Sequence, residues 1–293
     1  MKIRFGVGLG PGVGPQELAD LVDGLEAADI DSLWFSELVY SPAVDPFVGM
    51  AFALSRTMRL KVGTSVAVLP GRHPVLVAKQ LASLAALAPK RVLPVFGLRS
   101  ALAAERVLFP VPEGERAAVF DESLRLLRAV LEDDDVSFAG RYFQVRNATI
   151  APKPSVPLDI WLGGASPAGF RRIGSLADGW LGSFLTPAEA KLGRMQIIAA
   201  ADAAGRGIED DHYGINLAVG DGDLPDEVLG AIRRRRPDVD PRELVAADWP
   251  QLHRMLDGYV GAGLTKFVIR PLGSIDSAVF LERFVTELQP RQN

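Results

Sequence analysis

Along this 293-residue chain the apolar positions switch between two periods, and the switching predicts the elements. Short apolar or alternating runs read as strands: "IRFGVGL", "SLWFSE", "RLKVGTSVAVL", "RVLPVFGL", "LDIWLGG", "GWLGSF", "HYGINLAVG" and "KFVIRPLG". Each leads into a stretch whose apolar residues recur every three or four positions. In "PQELADLVDGLEAADI" these are Leu18, Leu21, Val22, Leu25 and Ala28, with Pro15 where a helix start accepts proline. "GERAAVFDESLRLLRAVLE" repeats the pattern with Phe120, Leu124, Leu127 and Leu131. Two stretches break the rhythm. "VSFAGRYFQVRN" holds two short runs around a glycine and predicts a β-hairpin inserted near 136–147, and a charged helical insertion is expected near 224–261.

Eight strand–helix repeats predict an α/β fold, a single (β/α)8 TIM barrel with insertions. A doubly wound sheet usually stops at six or seven strands and carries a phosphate-binding first turn. The first turn here packs five glycines between Gly6 and Gly14, yet no register supplies G-x-G-x-x-G. Counting from Gly6, Gly8, Gly10 or Gly12, the sixth residue is Pro11, Val13, Pro15 or Glu17. No lysine is present for a Walker cradle. These glycines are expected to form a mobile loop on the barrel rim, with Gly8 beside the substrate.

Composition narrows the chemistry. A formal net charge of -4 argues against a nucleic-acid partner, and the basic run Arg233–Arg236 reads as a solvated helix end. The absence of cysteine excludes disulfides, thiolate catalysis and cysteine-built zinc sites. His73, His212 and His253 lack metal-ligand spacing, so no metal is expected. No run approaches the roughly 18 apolar residues of a membrane span, and the start has no signal-peptide core. The expectation is a cytoplasmic protein with a small-molecule substrate and no membrane partner.

In a barrel of this kind the active site lies at the C-terminal ends of the strands, whatever the reaction. That rule selects the first-loop glycines, Glu37 and Tyr40, Thr64–Val66, Gly97–Ser100, Gly163–Ser166, Ser183 and Arg270. "WLGGASPAGF" stands out. Its glycines permit close backbone approach, Ser166 suits an N-cap and Pro167 the first helical position, so free N–H groups would face an anion. An ordinary tight turn with a capping serine explains the same residues.

Several blocks, in order, carry a resemblance: "DSLWFSE", "RLKVGTSVAVLPGRHPVLVAKQLASLAALAPKRVL", "APKPSVPLDIWLGGAS", "RRIGSLADGWL" and "GYVGAGLTKFVIRP". Over essentially its whole length the chain resembles the luciferase-like monooxygenase superfamily, and within it the F420-dependent oxidoreductase branch. The resemblance implies a barrel that binds coenzyme F420, or alternatively FMN, and transfers hydride to or from a small substrate, usually as a homodimer. It implies a non-proline cis peptide at Ser65–Val66 against the cofactor ring. Phosphate contacts are implied from Gly97, Leu98, Arg99 and Ser100 and from Gly163, Gly164, Ala165 and Ser166. Glu37 matches the acid near the cofactor's polar edge. Glu37, Tyr40 and Ser100 are the candidate proton donors or acceptors, and Arg270 the candidate contact for an anionic substrate or cofactor tail.

The departures also matter. Glucose-6-phosphate dehydrogenases of this superfamily carry histidine after the strand-two acid and glutamate after strand four, where this chain has Leu38 and Ser100. That sugar oxidation is therefore not expected. Arg99 stands where glycine is usual, and it pairs with a phosphate, crowds the pocket or faces solvent. Three other readings stay open: an FMN-dependent monooxygenase, a cofactor-free relative acting as a binding protein, and a Rossmann-type NAD enzyme using Glu37.

Overall fold

The computed structural model describes residues 2–10, 13–273 and 275–293, so Gly12 of the opening run lies outside the described residues. β1 (Arg4–Gly8) leads to α1 (Pro15–Ala27), β2 (Ser32–Phe35) to α2 (Pro46–Arg56), and β3 (Lys61–Thr64) with β4 (Ala67–Val68) to α3 (Pro74–Leu87). β5 (Val92–Leu93) and β6 (Val95–Gly97) precede a 3-10 turn at Ala103–Leu108 and α4 (Arg116–Glu132). The strands β7 (Val136–Ala139) and β8 (Gln144–Ala148) form an antiparallel hairpin. Then come β9 (Trp161–Gly163), α5 (Pro167–Leu176), β10 (Gly179–Ser183), α6 (Pro187–Ala203) and β11 (Tyr213–Val219). Helices α7 (Asp226–Arg235) and α8 (Trp249–Gly261), β12 (Lys266–Pro271) and α9 (Ser277–Leu288) complete the chain.

The main sheet contains ten strand segments in the order β4-β6-β9-β10-β11-β12-β1-β2-β3-β5, all paired in parallel. Its two apparent ends are the same place. β3 and β4 are halves of one strand, interrupted at Ser65–Val66, whose peptide bond is cis. β5 and β6 are halves of the next, interrupted at Pro94, which has no N–H to give to a ladder. The lower halves pair through Val62↔Val92 and the upper halves through Ala67↔Phe96. Joined, the segments make eight strands with no free edge, a closed (β/α)8 barrel.

Local chemistry starts the helices where the sequence marks them. α1, α2, α3, α5 and α6 all open on proline, whose fixed φ suits the first turn and whose missing N–H would be unpaired there. Asp45 accepts from the amides of Phe47 (2.9 Å) and Val48 (3.1 Å), and Thr186 and Glu189 form a capping box. His73 caps α3, its Nδ1 accepting from Val75 N at 3.3 Å. The hairpin is tied to α4 by the carboxylate of Glu122, which accepts from the amides of Arg141, Tyr142 and Phe143 at 2.8–2.9 Å.

Alternation along each strand separates two cores. Phe5, Phe35, Phe96, Leu162, Ile215, Phe267 and Ile269 face outward and are buried under the helices against Leu25, Met50, Leu81, Leu124 and Phe284. Trp34, Val95, Trp161, Leu181 and Val268 fill the barrel interior. Gly6 and Gly8 lie within β1, and this corrects the reading of them as a loop. A Cβ on Gly6 would sit 2.4 Å from the indole nitrogen of Trp34, so the first strand gives up its inward side chains to let that ring cross the barrel. Below this layer Asp31, its side chain 5% exposed, bonds Lys61 (2.9 Å) and Lys266 and plugs the N-terminal end.

Candidate functional site

One layer above Trp34 and Val268, the inward positions at the C-terminal end are small or polar: Gly8, Val66, Gly97, Gly163, Asn216 and Arg270. Val66 is the floor of this mouth. A Cβ on Gly97 would stand 2.6 Å from Val66 Cγ2, and one on Gly163 3.0 Å from Val66 Cγ1, so both glycines exist to seat that side chain. Beside it, Ser65 donates its hydroxyl to Asn216 Oδ1 at 2.7 Å. This bond crosses the barrel from the third strand to the seventh. Ser36 in turn donates to the carbonyl of Ser65 at 3.1 Å.

Of the three expected proton donors or acceptors, Glu37 and Ser100 are engaged by other side chains. Glu37 is 5% exposed, and its carboxylate accepts from Val68 N at 2.7 Å and from both terminal nitrogens of Arg72, one at 2.8 Å. Arg72 also lies over the rings of Phe47 and Phe109, which fixes the pair in place. Ser100 is buried and donates its hydroxyl to Glu105 at 2.5 Å. Glu105 is itself fully buried and accepts from the amide of Tyr40 at 2.7 Å, joining the loops after the second and fourth strands. The side chain of Tyr40 is 60% exposed.

On the opposite side of Val66, the turn after β9 presents backbone. Gly164 has φ +151°, open to glycine alone, and its carbonyl accepts from the indole of Trp180 at 2.9 Å. Ser166 caps α5 by accepting from Gly169 N at 3.1 Å. Ala165, Ser166 and Ala168 are exposed, so the start of α5 opens to solvent. Leu98 and Arg99, on the neighbouring loop, line a cleft of about 250 Å3 with Glu113 and Arg116. Burial and the charges of Arg99 and Arg106 push the Arg116 guanidinium down. A cavity of about 560 Å3 opens between α1 and α9, and Gly10 and Pro271, just past Gly8 and Arg270, line its end nearest the strands.

The luciferase-like monooxygenase family model matches residues 1–237. The chain belongs to this family. Relatives include an F420-dependent glucose-6-phosphate dehydrogenase of Beutenbergia cavernae, 28% identical over 94% of this chain and 93% of that protein. Another protein of that name, from Nakamurella multipartita, is 33% identical over 57% of this chain and 52% of its own length, so that match spans about half of it. Among solved structures, an F420-dependent secondary alcohol dehydrogenase in complex with an F420-acetone adduct covers 100% of both chains with a TM-score of 0.82 at 18% identity, a likeness of fold.

Within this luciferase-like barrel, sequence reasoning missed four residues at or behind the mouth: Arg72, Glu105, Asn216 and Arg235. Only Asn216 carried a signal, a polar residue in the apolar run "YGINLAV". Glu105 and Arg72 sit in loops whose pairing partners are distant in sequence. Arg233, Arg234 and Arg235 are exposed in the last turn of α7, the solvated helix end that the sequence predicts, whereas Arg236, just past it, is half-buried. Arg236 is bound by Glu189 and Asp238, and Arg235 lies 4.2 Å from the centroid of the Phe184 ring. His212 faces Asp159, Glu209 and Asp211, each at 3.9 Å, at the opposite end of the barrel from the mouth.

The residues present fit a flat ring cofactor with an anionic tail. Three inward glycines leave the mouth free of side chains above Val66, and the exposed start of α5 supplies amides without a competing acid in its first turn.

Proposed function

We propose that this chain is a coenzyme F420-dependent oxidoreductase moving a hydride between F420 and a small organic substrate held in the same barrel mouth. The observation that carries the reading is the cleared layer at the C-terminal end, floored by Val66 and flanked by the open start of α5. The F420-dependent relatives, aligned over nearly the whole chain, favour F420 over FMN. When bound, F420 supplies the hydride chemistry, and the protein supplies orientation and exclusion of water.

Ser65 and Val66 support the ring. Gly163, Gly164, Ala165 and Ser166 hold the phosphate through backbone amides, with Gly97, Leu98 and Arg99 on the neighbouring loop. Gly8 and Arg270 bound the substrate end. Glu37 and Ser100 act as positioning residues, because the carboxylate of one and the hydroxyl of the other are already engaged by Arg72 and Glu105. Of the three groups considered for proton transfer, Tyr40 alone reaches solvent at the rim. With Leu38 and Ser100 in place of a histidine and an acid, sugar oxidation is not the expected reaction.

Fluorescence titration of the purified protein with F420 and, separately, FMN tests the reading. Selective F420 binding at micromolar levels or tighter supports it; preference for FMN makes the protein a flavin enzyme, and binding of neither overturns both. The same reading makes the protein a cytoplasmic homodimer. Among the described residues no helix is long and apolar enough to cross a membrane, and Leu76 and Leu87 of α3 are exposed. Sedimentation velocity would report the mass in solution.

A further inference from the structure

We propose that Arg270 and Arg235 form a paired cationic subsite at the substrate end of the mouth, which binds a carboxylate or phosphoryl group of the substrate. This rests on the reading of the mouth as a cofactor and substrate site, and it adds a substrate class and a residue from the helical segment between β11 and β12.

Alternation on β12 places Lys266, Val268 and Arg270 on the barrel's inner face, as plug, core and mouth. Both neighbours of Arg270 are small. Ala218 lies beside it on β11, and on β1 a Cβ built on Gly8 would stand 3.3 Å from Arg270 Cβ. Neither flanking strand therefore brings an acid to it. Among the described residues Arg270 makes no side-chain hydrogen bond or ion pair, in contrast to Arg72, Arg128, Arg172 and Arg236. Arg270 is half-buried, and a guanidinium at a rim with no counter-charge beside it favours an incoming anion.

Arg235 reaches the same region from the end of α7. It rests on Phe184, the residue that follows β10, and Phe184 packs in one small cluster with Ala218 and Leu272. Thus the residue beside Arg270 and the ring beneath Arg235 belong to the same patch. Among the described residues Arg235 also lacks an acid, although the next residue, Arg236, has two. Burial and the charge of Arg235 push the Arg270 guanidinium down. Two planar forks at one site suit an oxyanion.

The test is calorimetric titration of the full chain with inorganic phosphate, with benzoate, and with neutral benzamide. The wild type should bind at least one anion and not benzamide; a preference for phosphate assigns a phosphoryl substrate, a preference for benzoate a carboxylate. Arg270→Met and Arg235→Met should each weaken that binding tenfold or more, whereas Arg233→Met, in the same exposed helix turn but not on Phe184, should not. Arg270→Lys, which keeps the charge and loses the fork, should retain weak binding and serves if the methionine variant does not fold. Equal loss in Arg233→Met, or no anion binding by a wild type that binds F420 normally, overturns the subsite. F420 titration of the same samples reads the cofactor assignment separately, and its failure alone would leave the anion result standing.

Discussion

Gly97 lacks a side chain because Val66 occupies the space one would fill. The replacement Gly97→Ala should displace Val66, a β-branched residue with little rotamer freedom, and cost about 1–3 kcal/mol in urea unfolding. It should also weaken F420 binding by raising the floor under the ring, and unchanged affinity would show that the floor is not where the ring rests. Gly8→Val tests the other wall. Its side chain would press on Val268 and Arg270, so KM should rise about tenfold or more with F420 affinity nearly unchanged, and steady-state kinetics paired with a binding titration separates the two. The glycines themselves were conspicuous in the sequence. Their reason was not, since Trp34 and Val66 reach them across the barrel rather than along the chain.

At the scale of elements, the prolines and capping residues announced the helices, and the starts of α2 and α3 follow directly from Asp45-Pro46 and His73-Pro74. The breaks in the third and fourth strands were less legible, because an interrupted strand and a continuous one have the same apolar pattern. For α5, the element offers its own test. An aspartate at Ala168 sits in the first turn, where negative charge stabilises a helix, so the melting temperature should hold or rise slightly. The same charge competes with a phosphate, and F420 affinity should fall about tenfold. If affinity holds, the start of α5 does not bind the tail. This probe is cleaner than replacing Gly164, whose backbone conformation penalises any side chain.

For the whole molecule, closure of the barrel excludes a Rossmann-type crevice, since an open sheet would leave two edges. Closure also encloses the Asp31 plug. Although burial pushes the Asp31 carboxyl up, the charges of Lys266 and Lys61 hold it well below its ordinary value of 3.8. A depressed carboxyl stabilises the fold fully above the unfolded value and loses that contribution as pH falls toward the folded one. Stability should therefore decline below about pH 4 in the wild type, and Asp31→Asn should lose this part of the acid dependence. That variant leaves Lys266 buried without its partner and should cost about 3–5 kcal/mol at neutral pH, measurable by urea unfolding. A wild-type acid profile retained in the variant would remove Asp31 from the account. The sequence by itself determined the eight strand–helix repeats and the placement of the mouth, because period, proline and caps act over a few residues. Which side chains meet there was decided by the tertiary structure: Ser65 with Asn216, Glu37 with Arg72, Tyr40 with Glu105. Most of these partners lie on loops or strands far apart in the chain, and only the curvature of a closed sheet brings them within bonding distance.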